Sequence, residues 1–169
     1  LFVLGAELSE GTPALVDAVG NRADGVVPRR LGLDVIPPMS DYYAFHGAEV
    51  PVLFLTCGRW EHYPQPSDTP EKLDYDKIVA TADYLRDLVQ AFSTRPEVPV
   101  VFDAEGRDDA ASLQSLASMG ELLVPYVPQV GALLPSFGPL LQKAGRGQLN
   151  ALERGMIGRL VAGMESILG

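Results

Sequence analysis

The 169 residues are 47% hydrophobic and carry a formal net charge of −9, with a sequence pI near 4.6. That is enough apolar material for one core at the size of one ordinary domain, and too few clustered cations for a nucleic-acid partner. The lone Cys57 excludes an intrachain disulfide and a thiolate metal site built from this chain alone, and leaves the redox compartment open.

Phe2, Val3 and Leu4 read as a short strand already under way at Leu1, with no signal peptide before it, so the sequence reads as part of a longer polypeptide whose compartment stays open. Thr12 as N-cap and Pro13 at the first helical position predict a helix through Leu15, Ala18 and Val19. Residues 20–30 are turn-rich, and Leu31, Leu33, Val35 and Ile36 then predict an extended segment stopped by Pro37 and Pro38.

Ser40 as N-cap, with Asp41 in the first turn, predicts a short helix carrying Tyr42, Tyr43 and Phe45, and His46 falls at its end as an ordinary polar residue. Residues 50–55 are a continuous apolar run, which predicts a central strand buried on both faces of a sheet. The loop that follows holds Cys57, Arg59, Trp60, Glu61, His62 and Tyr63. Open α/β sheets keep their ligands in such loops at the carboxyl ends of strands, which makes it the functional candidate. Cys57, at the strand end, is expected to be a small buried residue.

Asp74, or Thr69 with Pro70, starts a helix in which Ile78, Ala82, Leu85, Val89 and Phe92 recur at three- and four-residue steps, predicting one core-facing stripe. Asp76, Lys77, Asp83, Arg86 and Asp87 form its solvated face. Residues 98–102 suggest an edge strand, since Pro99 cannot donate to a central ladder. Asp108 and Asp109 open a further helix. Residues 122–141 contain no charge and have the length of a membrane span, but four prolines (Pro125, Pro128, Pro135, Pro139) favour a buried, broken helical pair or a cover over the sheet. Leu149, Leu152, Met156, Leu160, Met164 and Ile167 predict an amphipathic helix over residues 148–168.

The expected fold class is α/β, a three-layer sheet fragment with strands near Leu1 and Val52 and candidate strands near Leu33 and Val100, covered by helices 74–92 and 148–168. Residues 1–102 would form the α/β part and residues 103–169 a helical extension packed on it. The chain has no CxxC, no phosphate-binding glycine motif and no Gly-x-Ser-x-Gly elbow.

Ser40-Asp41-Tyr42, then Gly47, the apolar run 50–55, Gly58 and Tyr63, and a closing Pro66-Ser67-Asp68-Thr69-x-Glu71-Lys72 form an ordered set. This set resembles the co-catalytic zinc aminopeptidases of the bacterial leucyl aminopeptidase kind, to which glutamate carboxypeptidase and glutaminyl cyclase are related. The resemblance runs from about Leu1 to Phe92 and covers the later part of that family's domain. It implies a zinc metallo-exopeptidase acting on a peptide substrate, with two zinc ions in the parent protein. It further implies that Asp41 and Tyr42 line the cleft, that Trp60 and Tyr63 contact substrate, and that the missing amino-terminal half of the domain is a partner.

The family loop reads Tyr-His-x-Pro-Ser-Asp-Thr and its His binds a zinc, whereas here that position is Pro64, which has no side-chain donor. The remaining family ligands and the catalytic Glu lie upstream of anything matching Leu1, so this chain alone is expected to hold no zinc and to be inactive. His62, two residues before the ligand position, is the register-shifted metal candidate; His46 and His62 as a pair sit in no known ligand spacing. The alternative is a noncatalytic relative that lost a zinc ligand at Pro64 and serves as a binding or interaction module.

Overall fold

The computed structural model describes all residues except Met39, Arg59, Trp60, residues 96–99 and Gly169, and describes residues 165–168 by their backbone alone. It is mixed α/β. The chain divides into two compact units, one made of residues 1–30 and 38–107, the other of residues 31–37 and 108–169.

Three short strands, β1 (Phe2–Leu4), β2 (Arg29–Leu31) and β3 (Phe54–Thr56), form a sheet in the order β2-β1-β3. The central strand is therefore β1, with Val3 and Leu4 almost wholly buried. β3 pairs antiparallel with it, Phe2 opposite Thr56 and Leu4 opposite Phe54. This corrects the expectation of a central strand over residues 50–55. Only the last part of that run joins the ladder, its residues are half-buried, and it sits at the edge. Residues 33–35, expected to be extended, instead close a 3₁₀ turn after β2. Of the expected edge strand, residues 98 and 99 lie outside the described residues; Val100 is exposed and in no strand, and Phe102 makes an isolated antiparallel bridge with Ser9.

Helices α1 (Thr12–Gly20), α2 (Tyr42–Gly47) and α3 (Tyr75–Thr94) complete the first unit. α1 begins one residue earlier than its sequence signals suggest: Gly11, at φ +76°, takes the N-cap position, and Thr12 enters the first turn. Glycine suits that left-handed turn because it has no Cβ to clash. α3 follows its sequence signal, with the Asp74 carboxylate accepting from the Lys77 amide at 2.9 Å. The core gathers Val3, Leu15, Val16, Val19, Tyr84 and Leu88, with Leu53, Leu55 and Phe92 against its margin. α3 thus faces inward through Tyr84, Leu88 and Ala91, while Ile78, Leu85 and Val89 of the expected stripe stay 48%, 44% and 57% exposed. Its solvated face is as read, with Arg86 bridging Asp83 and Asp87. Arg30 grips Asp17 of α1 with two parallel hydrogen bonds of 2.8 and 3.0 Å, a planar fork matched to a carboxylate.

The second unit is helical. The uncharged run 122–141 is broken, as its prolines require, into the end of α4 (Asp109–Leu123), two 3₁₀ turns and α5 (Phe137–Ala144). α6 (Ala151–Leu168) starts at a reciprocal cap: the Asn150 side chain accepts from the Glu153 amide and Glu153 accepts from the Asn150 amide. Glu153 also pairs with Lys143, and this hydrogen bond, ahead of the one from Asn150, holds its carboxyl below the usual range. α6 buries Ile157, Leu160 and Met164, and leaves Leu152 exposed. Arg154 bonds Asp109 at 3.0 Å, tying α6 to α4, and the Gly32 amide donates to the buried Ser112 hydroxyl of α4. Among the described residues no helix is long and apolar enough to cross a membrane.

Candidate functional site

The candidate site begins at α2. Its N-cap position is held by Asp41, which is already helical at φ −56° and ψ −27°, and no side chain caps the helix. An extended N-cap residue is what lets a side chain reach back to the first free amides, so the capping role expected of Ser40 and Asp41 is not taken up. Tyr42 is buried and packs its ring on Phe54 of β3 with centroids 5.3 Å apart. That contact fixes α2 against the first residue of β3. His46 stacks edge-on against Phe102 at 5.5 Å, an aromatic packing role.

Beyond β3 the chain turns at Gly58, whose amide donates to the Thr56 hydroxyl at 3.0 Å. Cys57 is an exposed free thiol, contrary to the buried position expected for it: β3 ends at Thr56, so the side chain no longer shares the packing of the sheet. Trp60 lies outside the described residues.

Residues 61–72 close on themselves through His62. Lys72 Nζ lies 3.0 Å from His62 Nε2, and His62 Nδ1 lies 3.0 Å from Ser67 Oγ. An ammonium can only donate, so Nε2 is the accepting nitrogen and Nδ1 carries the proton that Ser67 accepts. The backbone supports this ring, with the Gln65 amide donating to the His62 carbonyl at 2.6 Å and the Asp68 amide to Gln65 at 3.0 Å. At Glu71, in the 3₁₀ turn Pro70–Lys72, hydrogen bonds from its own amide and then from Thr69 lower the carboxyl pKa. Tyr63 projects outward, 72% exposed.

This arrangement decides how well the loop suits a zinc ion. A ligating imidazole needs one nitrogen with a free lone pair, and both nitrogens of His62 are engaged. Pro64 supplies no donor, and no group of three or more His, Cys, Asp or Glu among the described residues is arranged to hold a metal. The structure joins His62, Ser67 and Lys72 to one another, and separately seats Tyr42 on Phe54 of β3. Ser67 and Lys72 both belong to the motif read from the sequence, but their hold on His62 was missed; the polar side chains at five- and ten-residue spacing were the available signal.

Comparison with protein-family models, with curated proteins and with solved structures finds no match. The fold and the site therefore define the chain as far as a mixed α/β protein with a self-bonded polar loop at the end of an edge strand.

Proposed function

We propose that the chain is the carboxyl-terminal portion of an aminopeptidase-like zinc metallopeptidase, supplying a wall of the substrate cleft. The observation that supports this is the order in which the motif of residues 40–75 folds. It runs as a short helix behind Ser40-Asp41, a strand over Phe54–Thr56, a closed polar loop carrying Tyr63, a 3₁₀ turn at Pro70–Lys72 and a long helix from Tyr75. That succession is what a wall-forming segment needs: rigid elements on both sides of a loop that presents aromatic and polar groups. In this reading Asp41, Trp60 and Tyr63 contact the peptide, Tyr42, buried against Phe54, supports the wall from behind, and the two zinc ions and the general base belong to polypeptide beyond these residues.

The engagement of both His62 nitrogens favours a second reading, a noncatalytic peptidase-like binding module that lost its ligand at Pro64. Zinc titration and a chromogenic aminoacyl substrate separate the two. Residues 1–169 alone should release no amino acid. Joined to a segment bearing His-x-Asp, a Glu-Glu pair and a later Asp, they should give zinc-dependent release, and Pro64→His should raise zinc occupancy there. Peptide binding without any hydrolysis in the joined protein favours the module; hydrolysis by residues 1–169 alone sinks both readings.

A further inference from the structure

The charges of the chain are unevenly spread. Twenty of the 22 acidic residues and nine of the 13 basic ones precede Leu122, so residues 122–169 carry four cations against two acids. Within the second unit Lys143 pairs with Glu153 and Arg154 with Asp109, while Arg146 and Arg159 stand exposed with no ion pair among the described residues. The uncharged run 122–141 leads into this basic stretch. Its turns pack back on α4: at Gly120 an added Cβ would stand 2.8 Å from Leu134 and 3.5 Å from Val130. Val130, Phe137 and Leu140 are buried there, and the other side of the run meets solvent. Leu122 and Tyr126, four residues apart where α4 ends, are 60% and 83% exposed, and all four prolines of the run are exposed with them. Besides the Tyr126 hydroxyl, its exposed polar side chains are those of Gln129 and Ser136.

We infer that this surface docks on an anionic lipid bilayer, lying in its interface without crossing it, with Leu122 and Tyr126 as the inserted side chains and the basic balance of residues 122–169 as the attraction to the headgroups. Three features favour a bilayer over a protein partner. A protein interface carries about one hydrogen bond per 100–200 Å², and this run offers few polar side chains to make them, whereas a bilayer interface asks for none. Pro128 and Pro135 stand at the starts of the two 3₁₀ turns, where another residue would bring an unpaired amide into the interface. A tyrosine seats its ring among the acyl chains while its hydroxyl stays at headgroup level. The net negative charge of the whole chain does not forbid this, because at physiological salt a charge is screened beyond about 8 Å and the cations nearest the lipid decide. Glu121, exposed beside Leu122, is the acid that opposes them. The surface shares no residue with Asp41, Tyr42, His62 or Tyr63, so it stands independently of the peptidase reading.

The test sediments residues 1–169 with vesicles at physiological salt, once with an equimolar mixture of phosphatidylcholine and phosphatidylglycerol and once with phosphatidylcholine alone. The protein should pellet with the mixed vesicles and bind the neutral ones about tenfold more weakly or less. Leu122→Ser with Tyr126→Ser, at exposed positions that leave the fold intact by circular dichroism, should abolish pelleting, while Leu152→Ser, equally exposed on α6, should leave it unchanged. Arg146→Gln with Arg159→Gln should weaken partitioning about tenfold or more, and Glu121→Gln should strengthen it about fivefold. Failure to pellet with the mixed vesicles, equal binding to both kinds, or binding indifferent to the Leu122 and Tyr126 pair overturns the proposal. So does an equal loss in Leu152→Ser, which would mark indiscriminate apolar adsorption. Light scattering showing, without vesicles, a dimer that the Leu122 and Tyr126 pair dissociates would overturn it too, by giving the surface to a second copy.

Discussion

Tyr84 offers the sharpest test of the packing in the first unit. It is 2% exposed, and its hydroxyl has no hydrogen-bond partner among the described residues. Burial, with a smaller contribution from the charge of Asp17, pushes the phenol pKa up to about 12 from 10. The unfolded chain releases this proton as pH passes 10, whereas the folded chain keeps it until about 12. Tyr84 therefore supports the fold fully below pH 10, and that support drains away between pH 10 and 12. Two pKa units correspond to about 2.7 kcal/mol, since each unit is worth about 1.36 kcal/mol. Tyr84→Phe keeps the ring and removes the unpartnered hydroxyl, so it should leave stability at neutral pH unchanged or raise it by about 1 kcal/mol. It should also remove about 2 to 3 kcal/mol of the alkaline decline. Urea unfolding of both proteins at pH 7, 10 and 11.5 measures each quantity. A variant less stable at pH 7, or one with an undiminished alkaline decline, would refute the reasoning, because the hydroxyl would then have a partner that stabilises it.

Gly5→Ala should lower the stability of the first unit by about 2 kcal/mol or more, read as a fall in thermal midpoint; Gly5 sits at φ +89°, and an added Cβ would stand 2.5 Å from the Val52 carbonyl oxygen. Asp74→Ala removes the carboxylate cap of α3 and should cost about 1 kcal/mol in urea unfolding; no loss would mean that the Lys77 amide is satisfied elsewhere. Cys57 should react with a soluble thiol reagent as fast in the folded protein as in urea, and protection in the folded state would show that it is covered.

What the sequence made legible were features whose causes are local. Asp74 and Asp108 cap helices because a carboxylate reaches an amide three residues on, whatever surrounds it. The prolines of residues 122–141 break a helix by lacking a donor, which also needs no neighbours. α3 shows where this stops. It carries two apolar stripes, one through Ile78, Leu85 and Val89 and one through Tyr84, Leu88 and Ala91, and periodicity alone cannot say which meets α1 and β1. The run 50–55 was misplaced for a related reason: its composition signals burial, yet burial against a groove wall and burial inside a sheet look alike in one dimension. In the candidate site, the motif residues were visible but their bonds were not. Whether His62 offers a nitrogen outward depends on Lys72 folding back onto it, and that is decided by the turn at Pro70–Lys72.

The interleaving of the two units bears on how the molecule can be cut. Leu31 and Leu33 are 6% and 7% exposed, and the amide between them, that of Gly32, is satisfied by Ser112 far along the chain. Ending the polypeptide after Arg107 would therefore not liberate a clean amino-terminal half. It would leave Leu31 and Leu33 without the partners of their own unit and hand the Gly32 amide to water, a sticky loop where a surface turn is wanted. During synthesis, likewise, residues 31–37 must wait for more than seventy further residues before their neighbours exist.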